Sequence, residues 1–173
     1  SKVESLNNIE ITACKVIAKS GDRGAGIGSG RNKKKSPNIS ATNITIDSGY
    51  VEAYATGWSA AAIGGGDSCD ASNIIINNGT VIAKGEHNAA GIGCGNGHIA
   101  SNIIINNGIV NATGSSNAAG IGGSIYGSVS NISINGGTIT AKGGTFGIGN
   151  GKDGATEKVF ISGGSVYANS IGC

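Results

Sequence analysis

One pattern occurs twice in succession at the centre of the chain. From Asn73 the sequence reads NIIINNGTVIAKGEHNAAGIG, and from Asn102 it reads NIIINNGIVNATGSSNAAGIG. Self-similarity at a fixed period limits a chain to architectures in which copies stack on one another. The opening segment recurs as NIEIT from Asn8, NITID from Asn43, NISIN from Asn131 and KVFIS from Lys158. With the two central copies, the steps between starts are 35, 30, 29, 29 and 27 residues. A second segment follows a short turn ending in Gly: KVIAK, YVEAY, TVIAK, IVNAT, TITAK and SVYAN. A third, AGIG or a close variant, closes each copy before a loop of variable length.

Each segment alternates with a period of two, which is the strand signature. Alternate side chains of a strand point to opposite faces. The inward set of the first strand is then Ile9/Ile11, Ile44/Ile46, Ile74/Ile76, Ile103/Ile105, Ile132/Ile134 and Val159/Ile161. The second contributes Val16/Ala18, Val51/Ala53, Val81/Ala83, Val110/Ala112, Ile139/Ala141 and Val166/Ala168. The third contributes Ala25/Ile27, Ala61/Ile63, Ala90/Ile92, Ala119/Ile121 and Phe146/Ile148. No single copy can bury such a stripe, whereas stacked copies bury all of it. The expected fold is therefore all-β: a parallel β-helix of about 5–6 coils, three short strands to a coil, starting near residues 8, 43, 73, 102, 131 and 158. Right-handed coiling is expected from the general crossover preference. At about 4.8 Å per coil the rod is roughly 26 Å long.

A helix is excluded by the missing 3.6-residue period and by 33 Gly in 173 residues. A propeller blade needs more strand than one copy holds. The Gly content follows no triplet rule, which excludes collagen, and the ordered apolar strings argue against disorder. The net charge of +2 gives no general affinity for nucleic acid. No run of 18 apolar residues is present, so no membrane insertion is expected. Residues 1–173 read as one domain, and the abrupt start and the stop inside a copy point to a fragment of a longer chain.

The combination GAGIG with N-I-x-I-x-x-G-x-V-x-A-x-G resembles the Gly-rich repeats of large surface proteins of anaerobic Gram-positive bacteria and some parasitic protists. It is also similar to the repeats of a β-helical carbohydrate-binding family. The resemblance implies an extracellular, stalk-like or adhesive module in contact with polysaccharide or a host or cell-surface glycan. It brings no catalytic motif.

The chemistry-bearing residues are few. The GxG strings recur in every copy with no helix after them, so they are not phosphate loops. Polysaccharide-cleaving solenoids need clustered carboxylates. Here Asp47 stacks on Thr12 and Asn77, and Glu10 on Thr45 and Ile75, so no acidic column forms and no enzyme is expected. His87 and His98 have no Asp or Cys at metal-binding spacing and read as exposed loop residues, so neither metal nor cofactor is called. Asn8, Asn43, Asn73, Asn102 and Asn131 share one repeat position, and Asn77, Asn106 and Asn135 another. Both sets suit stacked amide ladders at coil corners. Asn38, Asn43, Asn78, Asn111 and Asn131 begin N-x-S/T sequons, of which Asn43 and Asn131 fall in the ladder, where a glycan is obstructed.

Two departures from the repeat are candidate sites. Tyr50 and Tyr54 flank Glu52 on one outward face, Trp58 follows in the next turn, and Lys84 and His87 come from the next coil. Flat aromatic faces beside polar groups suit a sugar ring, and the same residues also suit plain cation–π packing. The loop RNKKKSPNISAT carries Arg31, Lys33, Lys34 and Lys35, a cluster for an anionic ligand or else a solvated loop. Cys69 and Cys94 sit in the loops of adjacent coils, where a disulfide and two free thiols are equal alternatives. Apolar outward residues (Ile75, Ile104 and Phe160) and unpaired strand edges at the coil ends favour self-association.

Overall fold

The computed structural model describes residues 6–32 and 40–172. These residues form a solenoid of three parallel sheets, with no helix among the described residues. The first sheet stacks Leu6–Ile11, Ser40–Ile46, Asp70–Ile76, Ile99–Ile105, Ile132–Ile134 and Val159–Ile161, with Ser128–Val129 paired on its side. The second stacks Cys14–Lys19, Gly49–Ala55, Thr80–Gly85, Ile109–Thr113, Thr138–Lys142 and Ser165–Ala168. The third stacks five two-residue strands, Ile27–Gly28, Ile63–Gly64, Ile92–Gly93, Ile121–Gly122 and Ile148–Gly149, and a single bridge joins Ile148 to Ile171. One strand of each sheet per coil is the parallel β-helix expected from the repeat, and strand-to-strand register keeps like residues together: Ile44↔Ile74, Ile74↔Ile103 and Ile103↔Ile132.

The core is one aliphatic column. Ile44, Ile74, Ile103 and Ile132 of the first sheet are fully buried, as are Ile46, Ile76, Ile105 and Ile134. Val51, Val81, Val110 and Ile139 face them from the second sheet, and Ile63, Ile92, Ile121 and Ile148 from the third. Burying one such side chain stabilises by about 1.5–3 kcal/mol, and each interior coil repeats the set. The third strand is shorter than its alternating pattern suggested. Its Gly residues adopt φ between +127° and +147°. A Cβ on Gly93 would lie 1.7 Å from the Gly122 carbonyl oxygen, so only glycine lets the coils approach there.

The first strand begins earlier than its Asn. Ser40, Asp70 and Ile99 open the strands, and the register skips one residue between Thr42↔Ser72 and Ile44↔Ile74. The skipped residue is Asn43 or Asn73, with φ of 55° and 54°. Asn tolerates this left-handed conformation better than other residues with a side chain. The resulting bend turns Ala41, Ala71 and Ala100 into the core, a column that simple alternation from the Asn misses. The amides then bond up the rod. Nδ2 of Asn43 donates to Oδ1 of Asn8 at 3.0 Å, Asn73 to Asn43 at 3.0 Å, Asn102 to Asn73 at 3.2 Å and Asn131 to Asn102 at 3.4 Å. A second ladder runs from Asn77 to Asp47 at 2.6 Å, Asn106 to Asn77 at 2.7 Å and Asn135 to Asn106 at 2.8 Å. A third pair, Asn117 to Asn88 at 2.7 Å, was not foreseen.

Candidate functional site

The outer face of the second sheet carries the aromatic departure. Strand alternation puts Val51 and Ala53 in the core and Tyr50, Glu52 and Tyr54 outside. Parallel register then fixes their neighbours: Lys15 below Tyr50, Lys19 below Tyr54, Thr80 above Tyr50 and Lys84 above Tyr54. Both phenols turn inward along the strand to one carboxylate. Tyr50 donates its hydroxyl to Oε1 of Glu52 at 2.6 Å, and Tyr54 donates to Oε2 at 2.9 Å. The Lys15 and Lys19 ammonium groups lie 5.6 Å from the two ring centroids, within cation–π range. The two hydroxyl donors, Tyr50 first, hold the Glu52 carboxyl below its usual range, and Lys15 and Lys19 add to the effect. The same bonds raise both phenols above theirs. The result is a rigid strap, with its hydroxyls already used and its rings half-covered.

Trp58 sits past the end of that strand, in the turn that leaves the sheet. Its indole is 53% exposed and lies 5.1 Å from the His87 ring of the next coil, tilted by 34°. Backbone bonds fix both residues: Trp58 N–H donates to the Asp22 carbonyl, and Ser59 N–H donates to the His87 carbonyl. His87 itself holds φ at 49°. Lys84 is exposed and its ammonium is 3.7 Å from Glu86, a surface pair worth at most about 1 kcal/mol. The five residues singled out in the sequence thus form two groups on neighbouring surface. Tyr50, Tyr54 and Lys84 lie on the sheet, and Trp58 and His87 at its corner, with no ring contact between the groups among the described residues.

The basic loop is only partly described. Lys33, Lys34 and Lys35 lie outside the described residues. Arg31 is described, and it does not offer a free charge. Its Nε is 3.4 Å from Oδ2 of Asp67, and Nη1 of Arg23 reaches the same oxygen at 3.1 Å. Asp67 is buried, so the two guanidiniums compensate a carboxylate that could not be left alone there. This latch, anchoring the loop of the first coil to that of the second, escaped the sequence reading. The Asn32 N–H also donates to the Asp67 carbonyl, and no repeat-position signal marked the latch, because the loop lengths of the two coils differ.

Cys69 and Cys94 are free thiols, so the disulfide alternative is set aside. Cys69 Sγ is directed to the Gly30 carbonyl at 3.1 Å and Cys94 Sγ to the His98 carbonyl at 3.1 Å, each filling its own buried corner. His98, expected as an exposed loop residue, is half-buried, and its Nδ1 lies 3.0 Å from Oδ1 of Asp70 in the coil below. Asp70 also accepts from the Ile99 N–H at 2.9 Å. Cys94, His98 and Asp70 have the residue types of a nucleophilic triad without its geometry. The thiol bonds to the His98 backbone rather than its imidazole, and burial pushes it up to about 12. No cluster of three or more metal-ligating side chains occurs among the described residues.

A family model described as "Beta helix repeat" matches residues 9–31, 44–67, 74–96, 103–125 and 132–152. These five matches begin on the first Ile of the N-I-x-I segment of five successive coils, Ile9, Ile44, Ile74, Ile103 and Ile132. No curated protein and no solved structure matches the chain. The matched segments together span more than half of the sequence, and the chain belongs to the β-helix repeat family.

Proposed function

We propose that the chain is a non-catalytic, extracellular surface module of adhesin type that binds carbohydrate at the corner of its second and third coils. The observation that carries this reading is the indole of Trp58, an exposed ring in a family of coils otherwise poor in aromatics, braced on His87. A pyranose presents C–H groups to such a face and hydroxyls to its rim, where His87 and Lys84 offer polar partners. Tyr50 and Tyr54 contribute ring surface and stiffness rather than free hydroxyls, because Glu52 already holds both. Extracellular placement rests on the resemblance to surface repeats. The lack of an acidic column and the inert setting of Cys94 favour binding over bond cleavage.

A glycan array followed by calorimetry on the hits tests this. Wild type is expected to bind, Trp58→Ala to lose at least tenfold in affinity, and Tyr54→Ala to lose less. Binding that survives Trp58→Ala unchanged removes this site. Absence of any bound glycan leaves a structural spacer as the function.

A further inference from the structure

A second exposed aromatic lies on the same edge as Trp58, two coils along. Tyr126 belongs to the loop that follows the third strand of the fourth coil, and it is 54% exposed. Backbone bonds tie it to the Trp58 corner. The Asn96 N–H donates to the carbonyl of Ser59, the residue after Trp58, at 3.1 Å. The Ile125 N–H donates to the carbonyl of Asn88, the residue after His87, at 3.2 Å. The Gly97 N–H donates to the carbonyl of Ile125, the residue before Tyr126, at 3.1 Å. The segments that enter and leave the third sheet thus close into one ridge, with Trp58 and His87 on one flank and Tyr126 on the other.

Tyr126 departs from the repeat in conformation as well as in type. Its φ is 56°, and the residues at the same place after the Ile–Gly pair in neighbouring coils are Ser68, Gly97 and Asp153, with φ of 60°, 68° and 59°. Glycine and small turn-forming residues take this left-handed conformation far more readily than a bulky tyrosine. The fold gets little in return. Among the described residues no hydrogen bond, cation or ring contact engages the Tyr126 side chain, whereas Glu52 holds the hydroxyls of Tyr50 and Tyr54. A local rule broken without a structural gain points to function.

We propose that the ridge from Trp58 to Tyr126 is one extended site for a neutral, linear, β-1,4-linked oligosaccharide, with a sugar on each ring and the intervening units over Gly97. The proposal rests on the carbohydrate reading above and adds the length, charge and linkage of the glycan. The two rings are two coils apart, a rise of roughly 10 Å, which is more than one pyranose spans. Between them the ridge is open, since nothing lies within 4 Å of the place a Cβ on Gly97 would take. The polar groups there are amides. Asn88, Asn96 and Asn117 are half-buried on the ridge, and the bond from Nδ2 of Asn117 to Oδ1 of Asn88 uses neither Nδ2 of Asn88 nor Oδ1 of Asn117. Nearby charges offset one another: His98 lies against Asp70, and Lys152 is followed by Asp153. Amides without a net charge suit hydroxyl and acetamido groups rather than uronates. The ridge is the straight edge of a rod. Equatorial β-1,4 links make an extended ribbon whose C–H faces can lie on successive rings, whereas axial links curl the chain away.

Calorimetry with β-1,4-linked glucose and N-acetylglucosamine oligomers, from monosaccharide to hexasaccharide, tests this. Wild type is expected to gain at least tenfold in affinity with length in one of the two series. Tyr126→Ala is expected to lose that gain and keep monosaccharide binding at Trp58. Tyr126→Asn makes the same test on a residue that accepts the left-handed backbone, and its melting temperature is expected to equal or exceed that of wild type, which separates lost contact from lost fold. A hexasaccharide bound no more tightly than the monosaccharide overturns the proposal and leaves the Trp58 site standing. So does a folded Tyr126→Asn variant that keeps the wild-type dependence on length. A wild type that binds neither series also overturns it, and the glycan array then decides whether Trp58 holds a sugar of another class. A Trp58→Ala variant unchanged at every length removes the corner site and this proposal together.

Discussion

Ile134 and Ile161 are neighbours in one column of one sheet, yet the first is fully buried and the second is 39% exposed. Their sequence contexts, ISIN and VFIS, are nearly equivalent, and both residues sit on short strands that alternate in the same way. The difference is one coil of neighbours. In a solenoid the stability of each position is set by the coils on either side, so equal residues are unequal in energy at the middle and the end. An interior isoleucine is enclosed by other aliphatic side chains, whereas a terminal one keeps an open flank.

The sharpest way to break this contrast is at the backbone contact that sets the coil spacing. Gly93→Ala places a methyl group 1.7 Å from the Gly122 carbonyl oxygen at φ +147°, so the central coils must part. Thermal or denaturant unfolding is expected to show a loss of about 4 kcal/mol or more. Gly97→Ala, with φ +68° and nothing within 4 Å, is expected to cost only about 1–2 kcal/mol of left-handed strain. Equal effects at the two sites would mean that coil approach is not the constraint.

Next in size is the column itself. Ile105→Ala leaves a cavity between two coils and is expected to cost about 2–5 kcal/mol, against less than about 1 kcal/mol for Ile161→Ala measured at a concentration where the chain is monomeric.

The smallest effect concerns the Tyr50–Glu52–Tyr54 strap, on a face that packing leaves open. The Glu52 carboxyl lies below its ordinary value of 4.5 in the folded chain, so its contribution is present above that pH and is lost as pH falls through the lowered value. The two phenols lie above 10.0, so their contribution is complete below that pH and is lost as pH rises through the raised values. The strap therefore holds across the neutral range. A spectrophotometric titration is expected to show Tyr50 and Tyr54 ionising later in wild type than in Glu52→Gln. Identical titrations would show that the carboxylate does not hold the phenols.

The ladder of Asn8, Asn43, Asn73, Asn102 and Asn131 was legible as a column, because identical amides at one repeat position have only each other to satisfy. That the same Asn residues bend the strand was not legible. A left-handed φ leaves no trace in polarity alternation, and so the buried Ala41, Ala71 and Ala100 column was overlooked. The candidate site divides in a similar way. The outward placement of Tyr50 and Tyr54 follows from alternation with Val51 and Ala53, but the capture of both hydroxyls by Glu52 depends on rotamers that a pattern does not encode.

By itself the sequence determined the period, the parallel coils and the Ile and Val columns of the core, because a two-residue alternation repeated about every 29 residues can be buried only by stacking. Tertiary structure alone decided that Arg23 and Arg31 close on Asp67, that Cys69 and Cys94 stay apart as thiols, and that His98 meets Asp70. Each of these depends on where loops of unequal length come to rest, and only the closed coils beneath them fix that.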